Sequence, residues 1–216
     1  VTPEHTGQRI GAAQAQAVFV GHPWVIDQTR ALLQKTNQLD DVTVRQLRMI
    51  WLRAADALGT IPAVVAARVA GEARQSATLD SFPFKWQRPG ASAPEPITAN
   101  QIDEILKTST NLTERLAVWK ASKESGVALK PGLIELRDLR NRVAREMGFS
   151  SFSGLQATSF GMTVPEMKAW CERLVSDMRP LFEQLQCWTR YKLAERYHQP
   201  APRLIPAHWL GNRWGQ

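Results

Sequence analysis

Apolar side chains recur at spacings of three and four along almost the whole chain, and no convincing run alternates with period two. The pattern predicts an all-α protein. Its clearest stretch runs from about Val164 to His198, where Met167, Trp170, Leu174, Met178, Leu181, Leu185 and Trp188 trace one stripe. Pro180 falls inside that stretch and is expected to kink the helix or divide it in two. Leu136, Leu139 and Val143 mark a second helix after Pro131-Gly132, with Gly148 as its stop. Leu112, Leu116 and Trp119 mark a third, capped by Asn111.

Upstream, Asp41-Val42-Thr43 opens a helix that runs through Ile50, Leu52 and Leu58, and Pro62 starts another with Val64, Val65 and Val69. These two are expected to be antiparallel neighbours. Pro83, Pro89, Pro94 and Pro96 make the stretch from Ser81 to Pro96 irregular, and it separates two helical groups as a domain boundary or a surface loop. The resulting division is 1–80 as N-terminal helices, 81–98 as a proline-rich loop and 99–216 as a second helical body. No internal repeat is evident, which argues against a helical solenoid.

Composition changes this picture little: 216 residues, 44% of them hydrophobic, suffice for one large or two small cores. No stretch approaches the roughly 20 apolar residues of a membrane span, and the N-terminus has neither the charged region nor the apolar core of a signal peptide. Any such leader is expected to have been removed. The formal charge of +7 invites a polyanion partner, yet Arg137, Arg140, Arg142 and Arg145 alternate with Glu135, Asp138 and Glu146, as on a solvated face with local ion pairs. Nucleic-acid binding is therefore not expected. Cys171 and Cys187 lie on one predicted helix, about 24 Å apart at about 1.5 Å per residue, too far to pair, and are expected to be buried small apolar side chains.

The search for chemistry is informative mainly by what is missing. The four histidines, His5, His22, His198 and His208, form no His-Glu-X-X-His and no pair at helical ligand spacing, so no metal ligand is assigned in this chain. There is no P-loop, no dinucleotide fingerprint and no Gly-X-Ser-X-Gly elbow. Of the tryptophans, Trp119, Trp170 and Trp188 lie on apolar stripes and are expected in the core. Trp209 and Trp214 flank Gly211 and Asn212 in a short segment where Pro206 suits the first turn of a helix. Glycines at 211 and 215 would admit a close backbone or ligand, and Asn212 and Gln216 would stand one turn apart on the same face.

That terminal segment, Ile205 to Gln216, resembles the Ile-Pro-Ala-His-Leu-Leu-Gly-Asn-Met-Trp-Ala-Gln stretch of the angiotensin-converting-enzyme family of zinc peptidases. The likeness keeps Ile205, Pro206, Ala207, His208, Leu210, Gly211, Asn212, Trp214 and Gln216. It extends back to the segment beginning Asn111-Leu112-Thr113-Glu114-Arg115-Leu116, similar to the family's Glu-Arg-Leu helix, and covers the first hundred residues only in helical character. The wording of the terminal motif looks more like bacterial members than animal ones.

The resemblance implies the N-terminal helical half of a two-lobed zinc-peptidase fold with a deep central cleft, residues 1–80 supplying lid or lobe elements and 99–216 leading into a cleft-lining motif. It implies a peptidyl-dipeptidase that releases dipeptides from the C-termini of oligopeptides. In the family, zinc is held by two histidines of His-Glu-X-X-His and a later glutamate, and the motif's own glutamate activates the bound water. That helix follows the matched motif, so zinc would be bound by residues outside this chain, on a complementary C-terminal half, and this chain alone would be inactive. Gln216 would help hold the substrate's C-terminal carboxylate, with Asn212 near the same cleft. The arginine that helps bind chloride in animal members is not matched in Trp119-Lys120-Ala121-Ser122-Lys123, which puts chloride activation in doubt. Bacterial relatives are often exported, which favours an exported or periplasmic location over a cytoplasmic one. A non-catalytic helical interaction protein, and more remotely a basic nucleic-acid binder, are the alternatives.

Overall fold

The computed structural model describes residues 2–214 and, within them, every side chain but those of Gln16, Ala17, Phe19 and Val20. Helix accounts for 72% of it, and the strands are two short pieces, so the chain is all-α. Its helices are α1 (Pro3–Val20), α2 (Pro23–Leu33), α3 (Asp41–Ala54), α4 (Pro62–Asp80), α5 (Ala99–Thr108), α6 (Leu112–Lys123), α7 (Ser125–Glu146), α8 (Phe152–Ser159) and α9 (Val164–Tyr197). No helix among the described residues is long and apolar enough to cross a membrane. The chain divides into two compact units, Val1–Asp80 with Lys130–Cys171 and Ser81–Leu129 with Glu172–Gln216.

In the first unit α2 packs on α3, α1 on α4 and α8 on α3. The expected pairing of α3 with α4 is not among the strong contacts. The reason lies in the turn between them: α3 stops at Ala54 rather than running through Leu58, and Leu58 enters the core from the turn. Two glycines make that turn fit. The Gly59 amide donates to the Gly21 carbonyl at 2.9 Å, and a Cβ on Gly21 would lie 1.5 Å from the Ala57 carbonyl oxygen. Ile26, Leu58, Val65, Val69, Val143 and Leu155 form the centre of this unit's core. Asp40 caps α3 by accepting from the Thr43 amide at 2.9 Å, the usual answer to unpaired first-turn donors.

Helix α7 also departs from expectation, since it begins at Ser125 and carries Pro131 inside it. Pro131-Gly132 is not a helix start. Gly132 instead leaves room for α4, because a Cβ there would stand 1.6 Å from the Gln75 amide nitrogen. The predicted face holds: Leu136, Leu139 and Val143 are buried, and Gly148 at φ 85° ends the helix, with the Phe149 amide returning to the Ala144 carbonyl at 2.9 Å. Arg137 pairs with Asp138 of α7 at 2.8 Å, a local pair of the kind the alternation suggested, whereas Arg140 pairs with Glu72 of α4 at 2.9 Å.

In the second unit the stretch expected to be wholly irregular contains a short antiparallel pair, β1 (Lys85–Trp86) and β2 (Glu95–Pro96), with Trp86 opposite Glu95. It is too short to show period two in the sequence. Its value is the burial of Phe84, Trp86 and Ile97 with Ile102 and Leu106 of α5 and Val118 and Ala121 of α6. Helix α5 is fixed at its start by a reciprocal capping box, the Thr98 hydroxyl accepting from the Gln101 amide at 3.2 Å and the Gln101 side chain from the Thr98 amide at 2.9 Å.

Helix α9 is a single 34-residue helix that Pro180 does not divide. Its apolar stripe is on the surface rather than in the core: Trp170 is 45%, Leu181 64% and Trp188 62% exposed. Cys171 is likewise exposed and not buried, and Cys187 is half-buried, both as free thiols. The 3.6-residue spacing was a correct sign of a helix with an apolar face, but spacing cannot say whether the layer that covers such a face belongs to the same polypeptide. Trp119, on α6, is only half-buried.

Candidate functional site

The sequence places its candidate residues on the segment after α9, and the way α9 ends determines how that segment starts. Ala194 and Tyr197 are the buried residues of α9. His198 then adopts φ 51°, a left-handed conformation that turns the chain off the helix. The Gln199 amide closes the turn on the Ala194 carbonyl at 3.0 Å. The chain crosses an extended stretch and forms one 3-10 turn, Ala207–Trp209, with Pro206 in extended conformation as its N-cap.

The expected helix therefore does not continue through Asn212. Residues 211–214 form bends and a turn, and the Asn212 side-chain oxygen accepts from the Trp214 amide at 2.9 Å. Such a side-chain turn fixes the local backbone. Gln216, the residue matched to the carboxylate contact, lies outside the described residues. A Cβ on Gly211 would meet nothing within 4 Å, so the close approach expected there is not made by the described residues.

What holds this segment is a buried arginine that periodicity did not single out. Arg115 of α6 is 0% exposed, and its guanidinium reaches four carbonyls. Nη1 donates to Leu106 and Ser109 at 2.6 and 2.8 Å, Nε to His208 at 2.8 Å and Nη2 to Leu210 at 2.8 Å. Leu106 belongs to the last turn of α5 and Ser109 is its C-cap, so two of the acceptors are the helix-end carbonyls that a helix leaves unpaired and that attract a cation. The other two belong to the candidate segment. Burial pushes the guanidinium below its ordinary pKa, the Tyr197 ring opposes this and Arg196 adds to it.

Three further ties join the same segment to its surroundings. The Tyr197 hydroxyl donates to the Trp209 carbonyl at 2.9 Å, the Lys123 ammonium donates to the Arg213 carbonyl, and the Arg213 guanidinium pairs with Asp103 at 3.3 Å. Trp209 is buried while Trp214 is exposed, so the two tryptophans of the motif separate into an anchor and a surface residue. The signal for Arg115 was present in the sequence: Arg115, Val118, Ala121 and Ser122 follow helical spacing and are the buried residues of α6. A pattern search weighted toward apolar residues selects Leu112, Leu116 and Trp119 instead, because arginine is rarely buried unless its donors are satisfied.

The histidines do not converge. His22 caps α2 by accepting from the Trp24 amide at 3.3 Å, His5 is exposed, and His198 is the helix terminator. His208 is held below the usual histidine pKa by burial and then by the charges of Arg115 and Lys120. Among the described residues no group of three or more His, Cys, Asp or Glu side chains could hold a metal ion. The donor set present therefore does not fit a zinc centre.

A family model described as angiotensin-converting enzyme matches residues 85–216. Angiotensin-converting enzyme of Theromyzon tessulatum is 30% identical over 119 residues, 53% of this chain and 19% of that protein. The Rattus norvegicus enzyme is 29% identical over 119 residues, 53% of this chain and 9% of its own length. The Bos taurus enzyme is 30% identical over 120 residues, 54% of this chain and 9% of its own. The matched part thus spans about a fifth or less of these relatives.

Proposed function

From the premise that this chain belongs to the angiotensin-converting-enzyme family of peptidases, we propose that it is the N-terminal portion of a zinc-dependent peptidyl-dipeptidase, of the bacterial type and exported. The observation that carries the proposal is the family match over 85–216, which takes in the buried-arginine cluster and the terminal motif. In this reading the chain supplies scaffold and a contact to the substrate's free C-terminal carboxylate, made by Gln216 with Asn212 close by. A side-chain amide is a suitable donor to a carboxylate. An internal peptide bond offers no such charge, which would give the selectivity for chain ends.

Zinc would be held by residues on a complementary polypeptide segment. The exposed stripe of α9, with Leu174, Met178, Leu181, Phe182, Leu185 and Trp188 on the surface, supports the existence of such a partner segment. A contiguous apolar surface of this kind marks a contact site or an aggregation hazard. The test is reconstitution: the chain mixed with the complementary zinc-bearing segment should release dipeptides from oligopeptides and lose that activity to a chelator. A fully assembled, zinc-loaded complex without peptidase activity would overturn the reading.

A further inference from the structure

We propose that Arg115 is a positioning residue for the terminal motif, setting the main chain of His208 to Leu210, and through it Asn212, against the end of α5. Its functional half rests on the peptidyl-dipeptidase reading. The geometry is that of a fork with two pairs of tines: Nη1 takes Leu106 and Ser109 of the α5 terminus, while Nε and Nη2 take His208 and Leu210. A single rigid plane thus relates two pieces of chain that are about a hundred residues apart in sequence. The segment it holds has little regular structure of its own, one 3-10 turn followed by bends, and such turns have weaker hydrogen bonds than an α-helix.

Lysine cannot reproduce this arrangement. Its ammonium is a point with three donors on a flexible stem, whereas the guanidinium offers five N–H groups in a fixed fork. The other ties act at single points, Tyr197 on Trp209 and Lys123 on Arg213. Arg115 is the tie that reaches two carbonyls of the motif at once.

Hydrogen exchange on the chain carrying Arg115→Lys is the decisive experiment. The amides of 207–214 should exchange at least about tenfold faster than in the unsubstituted chain, as loss of charge-assisted hydrogen bonds predicts, while those of Val143 and Ala144 in the other unit stay protected. A folded variant with unchanged protection over 207–214 overturns the proposal. If the variant does not fold, nuclear magnetic resonance of the unsubstituted chain decides. An arginine Nε proton exchanging slowly, with an Overhauser contact to the main chain at His208, supports the clamp, and the lack of such a contact overturns it.

In the complete zinc-bearing protein, Arg115→Lys should raise KM for a peptide with a free C-terminus about tenfold or more and leave kcat within about twofold, the mark of lost uniform binding. An unchanged KM beside faster exchange would overturn the functional half. Absence of dipeptide release in the unsubstituted protein would remove the peptidase reading and leave the exchange result to decide the structural half.

Discussion

Tyr197, the last residue of α9, donates its hydroxyl to the carbonyl of Trp209 at 2.9 Å, and the two rings pack at 5.3 Å with their planes tilted by 59°. Both residues are buried, so the bond is made away from water. Tyr197→Phe keeps the ring and deletes only the donor, leaving the Trp209 carbonyl without it. The expected cost is about 1–3 kcal/mol, read as a lower urea midpoint with an unchanged denaturant slope. A midpoint that does not move would mean that water replaces the hydroxyl there.

Acidification should weaken the same region through His208. Its folded-state pKa lies below the ordinary 6.5, so the unfolded chain binds the proton more readily than the folded one. Stability from this group is complete above 6.5 and is lost as pH falls through the folded value. The urea midpoint should drop as pH falls below the ordinary 6.5, and His208→Gln should flatten that part of the profile. An identical profile in the variant would assign the drop to another group.

The turn joining α3 to α4 makes a sharper prediction. A methyl group on Gly21 would collide with main chain, the Ala57 carbonyl, rather than with a side chain able to move aside. Gly21→Ala should cost about 3 kcal/mol, seen as a large fall in thermal midpoint. Gly211→Ala, where a Cβ meets nothing within 4 Å, serves as the control and should change stability by no more than about 0.5 kcal/mol.

His198 sits at φ 51° without being glycine. Replacing it by glycine removes the penalty that a side chain suffers in the left-handed region, less the extra freedom glycine gains in the unfolded chain. His198→Gly should raise stability by about 0.5–1 kcal/mol. A loss of stability would show that the imidazole makes a contact outweighing the strain.

The exposed face of α9 predicts behaviour in solution. Leu181→Glu together with Leu185→Lys should lower binding of an apolar fluorescent dye and reduce self-association in light scattering, while helix content by circular dichroism stays the same. Surface substitutions of this kind usually change stability by less than about 0.5 kcal/mol. If helix content collapses, that face is part of the chain's own core.

Helical class and the face of α7 could be read from the sequence because Leu136, Leu139 and Val143 obey one local rule, the 3.6-residue period. The stop at Gly148 was legible for the same reason, since only a left-handed residue suits that position. What escaped the sequence depends on contacts distant along the chain. Pro131-Gly132 looked like a helix start because its local chemistry is that of a turn; only the position of Gln75 on α4 explains the glycine inside a helix. Trp170 and Trp188 were expected in the core because periodicity gives the direction of a face but not its cover. At the candidate segment the order was reversed: residue identities carried the family likeness, whereas Arg115, whose hydrogen bonds all go to main-chain carbonyls, was marked only by its helical spacing with Val118 and Ser122 and by no complementary acid.

That choice of partners has an evolutionary consequence. Because Arg115 grips His208 and Leu210 by their carbonyls, every amino acid presents it with the same handle. Substitution of the side chains at 208 and 210 would thus leave the two handles in place; the clamp is blind to the letters it holds there.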